Sequence, residues 1–387
     1  MIESIEIRNF KSIVDLELPL GRFNVIIGPN GCGKSNILEA ISMASAASQD
    51  KLDNEYLINR DVRISDPKFM VNAFEDDDSE PNDVKGNDVI SLTINSSSPI
   101  ICNLRYNESM KKWVNNASIV SKAIHSILSE DNGQDENMQE LFAALTGNIE
   151  LSNVDIKEFK KSLEPLFNSV PELASFLVYR PSEHFLRKTF ESTLFPLGVH
   201  GEGLLKYLKE AAEDDNVELF NEINEGLGLL DWFDGFKVPD NLMTNEYRLS
   251  IGDRYLKDSL HFFDQRSTNE GFLFLLFYLT LFNSKDTPSF FAVDNIESAL
   301  NPKLIVKLTE YLIERCFIND KQVVVTTHNP FVLDSLDLKN NDVRLFVARR
   351  NIDGHTRIER VAYREDRKMS LSQLWMSGLI GGLPDNF

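Results

Sequence analysis

Apolar and polar residues alternate through IESIEIRNF (Ile2 to Phe10) and again through VDLELPL (Val14 to Leu20). A period of two sends successive side chains to opposite faces, so both stretches are expected as half-buried strands. FNVII (Phe23 to Ile27) is apolar throughout, the pattern of a strand covered on both faces, and it runs directly into GPNGCGKSNILEAIS (Gly28 to Ser42). Strand, glycine loop and helix are therefore expected in that order. VISLTI (Val89 to Ile94) and IICNLRY (Ile100 to Tyr106) read as two further strands, and the acidic FEDDDSEPNDVKGND before them (Phe74 to Asp88) as a solvated loop.

The period changes between Ala117 and Phe176. Ile119, Ala123, Ile124, Ile127 and Leu128 share one face of a helix, as do Met138, Leu141, Phe142 and Leu145, and also Phe159, Leu163, Leu166 and Phe167. SFLVYRP (Ser175 to Pro181) is a short strand by pattern, and the stretch from PLGVHGEGLLKYLKEAA to DWFDGF is helical and acidic. Strand and helix then alternate again in FFAV (Phe290 to Val293), KLIVKLTEYLIERC (Lys303 to Cys316) and QVVVTTHNP (Gln322 to Pro330). GFLFLLFYLTLF (Gly271 to Phe282) is apolar all round but shorter than the about 20 residues that span a membrane, so it reads as a buried core helix. Near the end, a hairpin with its turn at Asn351 to Gly354 is expected, and LSQLWMSGLIGGLPDNF either docks on the core or offers a partner site. Together these elements predict an α/β protein in which residues 1–60 and 245–387 assemble one nucleotide-binding domain around an inserted, mainly helical lobe, 61–244.

The candidate chemistry sits where strand meets helix. Gly28, Gly33, Lys34 and Ser35 satisfy G-x-x-x-x-G-K-[ST] in the context that motif needs. Glycines let the chain fold around an anion, so that Asn30, Gly31, Cys32, Gly33, Lys34, Ser35 and Asn36 are expected to hold the phosphates of ATP at the helix N-terminus. Lys34 would reach the β- and γ-phosphates, and Ser35 would hold Mg2+.

Composition narrows the class. Sixty acidic against forty basic residues leave a formal charge of -20 over 387 residues, which argues against wrapping nucleic acid by net charge alone. A local basic groove stays open, with Arg248, Arg254, Lys257 and Arg266 offering the charge. Cys32, Cys102 and Cys316 are too few and too scattered for a disulfide framework or a zinc cluster, and with no apolar signal core at the N-terminus a cytoplasmic chain without membrane association is expected.

With IRNFKSI ahead of GPNGCGKSNILEAI, and VDNIESALNP and TTHNP behind, the chain resembles ABC-type ATPases of the RecF, SMC and OLD group, and most of all stand-alone OLD-like ATPases of bacterial anti-phage systems. The likeness covers about the first 45 residues and everything from about Leu249 onward, and is weak between. It implies a P-loop ABC-type ATPase head, a mixed sheet flanked by helices. By that resemblance Asp294 fixes Mg2+ together with Ser35, and His328 is the switch histidine that touches the γ-phosphate. Ser298 to Asn301 resembles the loop that crosses to a second subunit, and RSTNEG, with Asn269 and Gly271, a degenerate signature segment that closes over the partner's ATP. Where such sites carry a catalytic glutamate this chain has Asn295, which can orient a water but not take its proton; either Glu297, on the same side of an extended chain, substitutes, or the water is only positioned, or turnover is too slow to matter.

The reading that follows is a dimer or higher homo-oligomer that binds Mg2+–ATP, hydrolyses it slowly and controls a separately encoded effector, a nuclease or toxin, in anti-phage defence. The stretch after His328 is shorter than the about 100 residues a nuclease domain of its own would commonly need. Two alternatives stand beside it: a DNA-repair or chromosome-associated ATPase that binds DNA, and a scaffold that holds ATP without hydrolysing it.

Overall fold

The computed structural model describes residues 1–74, 88–115, 170–188, 194–240, 242–257, 260, 262–366 and 368–383. The chain opens with β1 (Ser4–Phe10), β2 (Ile13–Pro19) and β3 (Phe23–Ile27), and the glycine loop leads into α1 (Lys34–Ser48). After it come β4 (Val89–Asn95), β5 (Ile100–Asn107), β6 (Lys112–Asn115) and the two-residue β7 (Val178–Tyr179). Helices α2 (Leu204–Glu213) and α3 (Val217–Leu227) precede β8 (Phe233–Lys237), β9 (Ser250–Asp253) and β10 (Phe262–Phe263). The last third holds α4 (Glu270–Asn283), β11 (Phe290–Val293), α5 (Pro302–Ile318), β12 (Gln322–Thr326), β13 (Val343–Arg350), β14 (Thr356–Arg360) and α6 (Leu371–Met376).

The central sheet runs β14-β13-β3-β12-β11-β7. All its pairs are parallel except the β13–β14 hairpin. Both faces are covered, which is why the parallel strands read as unbroken apolar runs. On β3 the residues Phe23, Val25 and Ile27 face one core with Val323 and Val325 of β12, while Ile26 and Val324 face the other. The first core is filled by α4 and α5, and the second by α1 and an antiparallel sheet of order β2-β1-β4-β5-β6. Helix α4 is buried from Phe272 to Asn283, as a helix apolar on nearly every face must be when it packs between layers. No helix among the described residues is long and apolar enough to cross a membrane.

The stretch expected as an inserted lobe is woven into these layers wherever it is described. β4 pairs with β1 in the register Ile7↔Leu92 and Ile5↔Ile94, so one buried face runs across both. β7 adds to the edge of the central sheet beside β11, and Gly226 of α3 lies so close to Leu279 of α4 that a Cβ there would meet its side chain at 2.2 Å. The helical faces assigned to Ile119 through Phe167, and the acidic loop from 75 to 87, lie outside the described residues. The expected hairpin forms about Asn351 to Gly354, and the last stretch docks on β13, with Gly382 against Val347 and Trp375.

Candidate functional site

Four parallel strands deliver the chemistry at their C-terminal ends, where open α/β sheets gather ligands. β3 ends in the glycine loop, β11 in Asp294, β12 in Thr326, Thr327 and His328, and β7 in Arg180. The loop's shape is set by glycine: Gly33 has φ 106° and a Cβ there would meet Thr356 Oγ1 at 2.2 Å, and Gly28 has φ 151° with Ala348 O at 2.2 Å from such an atom. No other residue type tolerates that backbone and that closeness together. Above Gly31 there is open space, as an anion cradle requires.

Lys34 is buried and its ammonium lies across the loop, donating to Gly28 O at 2.8 Å and Pro29 O at 3.1 Å. Burial pushes its pKa down, while Cys32, Asp294 and Glu297 pull it back up. Asp294, also buried, accepts from Ser35 Oγ at 3.5 Å on one carboxylate oxygen and from the Thr326 hydroxyl on the other. Residues 259 positions apart thus meet, and a hydroxyl beside a carboxylate is a donor set that fits Mg2+, which takes few protein ligands and completes its shell with phosphate and water. These residues fit a magnesium–nucleotide, whose bound phosphates and metal would supply the reacting bond and its charge neutralisation.

Asn295 has φ 57°, and its N–H donates to Thr326 Oγ1 at 3.0 Å. Asparagine adopts the left-handed region more readily than glutamate, which gives a local reason for the amide at this position. Glu297 is fully engaged: Thr327 Oγ1 donates to one oxygen at 2.8 Å and His328 N–H to the other at 2.9 Å. In this arrangement it positions the histidine loop. The imidazole of His328, exposed on that loop, is pushed below the ordinary histidine range by partial burial and then by the Lys34 ammonium, against the pull of Glu297 and Asp294.

Of the residues expected to act across a dimer, Ser298 is bonded to Asn295, and the hydrogen bonds of Asn269 and Asn301 are local caps. Asn269 caps α4 by accepting from Phe272 N–H at 2.8 Å, and Asn301 caps α5 by accepting from Leu304 N–H at 3.0 Å. Ser298 Oγ donates to Asn295 O at 2.9 Å, and a Cβ on Gly271 would stand 3.3 Å from Ala299 O, so the two segments form one surface. The neighbouring Thr268 hydroxyl is buried without a hydrogen-bond partner.

Several site residues escaped the sequence reading. Arg180 Nε donates to Asp294 Oδ2 at 2.9 Å; its signal was a charged residue closing the apolar run FLVY, the same position Asp294 holds after FFAV. A hydrogen-bond relay runs from Asn36 Nδ2 to Ser12 Oγ at 2.7 Å, on to Thr356 Oγ1 at 2.7 Å, and from there to Cys32 O at 2.9 Å. Beside it the buried Glu39 takes ion pairs from Lys11 and Arg63. A groove of about 400 Å³ lies there, lined by Lys11, Ser12, Asn36, Arg63, Phe69 and Phe74. On the other flank of the glycine loop a groove of about 980 Å³ is lined by Asn30, Arg349, Arg350, Arg357 and Gly382. No local pattern announces contacts between residues so far apart in the chain.

The fold and the glycine loop are those of a P-loop ATPase head. The chain belongs to the RecF/RecN/SMC N-terminal domain family, which matches it over residues 1–351. It is 44% identical over 43 residues to the OLD nuclease of Thermus scotoductus, 11% of this chain and 8% of that one. Over 42 residues it is 55% identical to the chromosome partition protein Smc of Methanocaldococcus jannaschii, 10% of this chain and 4% of that one. The matched stretches thus span less than a tenth of either relative. Among solved structures, an SmcHead bound to the C-winged helix domain of ScpA aligns over 93% of this chain and 98% of that one, with a TM-score of 0.54 at 14% identity, a likeness of fold.

Proposed function

We propose that this chain binds Mg2+–ATP and uses it as a slow, dimeric switch that controls a separate effector protein, a nuclease or toxin, in anti-phage defence. The carrying observation is the meeting of Lys34, Ser35 and Asp294 at the glycine loop. Asn30 to Asn36 take the phosphates, Ser35 and Asp294 the metal, and His328 reads the γ-phosphate. The groove beside Asn36 has room for the nucleoside end. The inserted lobe, 61–244, would carry the signal to the effector.

Closure takes two copies: the surface made of Asn269, Gly271, Ser298 and Asn301 would meet the ATP held by the partner. The close approach of Gly271 to Ala299 favours this, since it joins the two segments in one surface. Sedimentation is expected to show a dimer with a non-hydrolysable ATP analogue and Mg2+, and monomer without; a nucleotide-independent profile rules the switch out.

Family membership also keeps a DNA-associated role in view. Of its candidate residues, Arg248 and Arg266 are paired with Glu246 and Asp264, and Arg254 donates to Phe233 O at 2.8 Å. Weak, shallow salt dependence of DNA retention on filters is therefore expected. A steep slope, about one log unit of affinity per log unit of salt for each phosphate neutralised, would favour the DNA reading.

A further inference from the structure

Arg180 is placed where a metal-binding carboxylate would be least expected to have a cation already. Its side chain is 22% exposed and forks between two acids: Nε donates to Asp294 Oδ2 at 2.9 Å, and NH1 donates to the Asp61 carboxylate and, at 3.2 Å, to Asp61 O. The Asp294 oxygen it occupies is the same one that lies 3.5 Å from Ser35 Oγ. Its backbone is fixed on both sides, with its N–H donated to Val199 O at 2.8 Å and its carbonyl 2.9 Å from His200 Nδ1. Asp61 holds its end of the fork with a left-handed backbone, φ 60°.

One carboxylate oxygen cannot serve a guanidinium and a divalent ion equally. A guanidinium is permanently charged and its donors match phosphate oxygens as well as carboxylate. Resting on the proposed ATP site, we propose that Arg180 is a nucleotide-binding residue that guards Asp294 before ATP arrives and transfers its Nε donor to a triphosphate oxygen when Mg2+ takes the carboxylate. Asp61 keeps the guanidinium tethered during the exchange, so the arginine turns about its NH1 contacts. Without nucleotide, Arg180 opposes the ion; with nucleotide, it supports the complex. Loss of a neighbouring positive charge would by itself favour Mn2+ and disfavour the anionic complex, so the charge-keeping Arg180→Lys decides whether the guanidinium fork acts beyond its charge.

The test compares the wild-type chain with Arg180→Gln and Arg180→Lys. Mn2+ alone is titrated by electron paramagnetic resonance, and the Mg2+ complex of a non-hydrolysable ATP analogue by calorimetry. Arg180→Gln is expected to bind Mn2+ alone about tenfold more tightly and the Mg2+–analogue about tenfold more weakly, the worth of one charge-assisted contact each way. Arg180→Lys, which keeps the charge and so guards against simple loss of folding, should shift both in the same directions by less. Unchanged affinities, or changes of the same sign in both titrations, overturn the proposal. Failure of the wild-type chain to bind the analogue would instead remove the ATP reading, while the Mn2+ arm would still judge whether Arg180 guards Asp294.

Discussion

Replacing Lys34 with alanine is expected to weaken binding of Mg2+–ATP by about 100-fold while leaving the fold intact. The ammonium now donates to Gly28 O and Pro29 O, so it is already held over the loop where phosphate oxygens would lie. A hydrogen bond from a charged donor to a charged acceptor contributes about 1.5 to 3 kcal/mol, and two such contacts at the low end of that range put the loss near two powers of ten. Of the two carbonyls left behind, that of Pro29 is half-buried and that of Gly28 buried, so a small loss of stability is expected beside the loss of affinity. Calorimetry reads the affinity, and circular dichroism the fold. Full affinity in Lys34→Ala would mean that the loop does not hold nucleotide at all.

The second large effect is expected from Asn295→Glu, with phosphate release rising about 100-fold. General-base assistance is worth about 10² to 10⁴ in rate, and the lower end is appropriate because the backbone here resists the change. At φ 57° a glutamate costs about 1 to 2 kcal/mol that asparagine largely avoids, so a modest fall in melting temperature should accompany the gain. The companion variant is Glu297→Gln. Its two oxygens accept from Thr327 and His328, and an amide can keep one of those bonds while turning an N–H toward the other donor. If Glu297 is the base, phosphate release falls by at least about tenfold with ATP affinity unchanged. If release is undiminished, Glu297 serves only to hold the histidine loop. Acceleration in Asn295→Glu and loss in Glu297→Gln together would say that the site works with a displaced base.

The elements were legible in the sequence to different degrees. Strong periodicity found β1, β2, α4, α5 and the β13–β14 hairpin, because each element's burial follows from its own side chains. The glycine loop was equally plain, since its backbone admits almost nothing but glycine at Gly28 and Gly33. The partners of β4 and β7 were not. VISLTI looks like any edge strand until Ile94 is seen opposite Ile5, and Val178 to Tyr179 is too short to be placed without β11 beside it. Strand partners are chosen by which buried faces match over long loops, and a sequence window carries no record of that choice.

The sequence by itself determined that a glycine-rich anion loop follows a buried strand and opens a helix, that an acid ends a second strand, and that the usual glutamate beside it is an amide. Those are local requirements of backbone and charge. Only the tertiary structure decided that Asp294 reaches Ser35, that Arg180 already occupies its carboxylate, and that Glu297 is held by Thr327 and His328. These depend on the order in which parallel strands stack, which is settled by packing across the whole sheet.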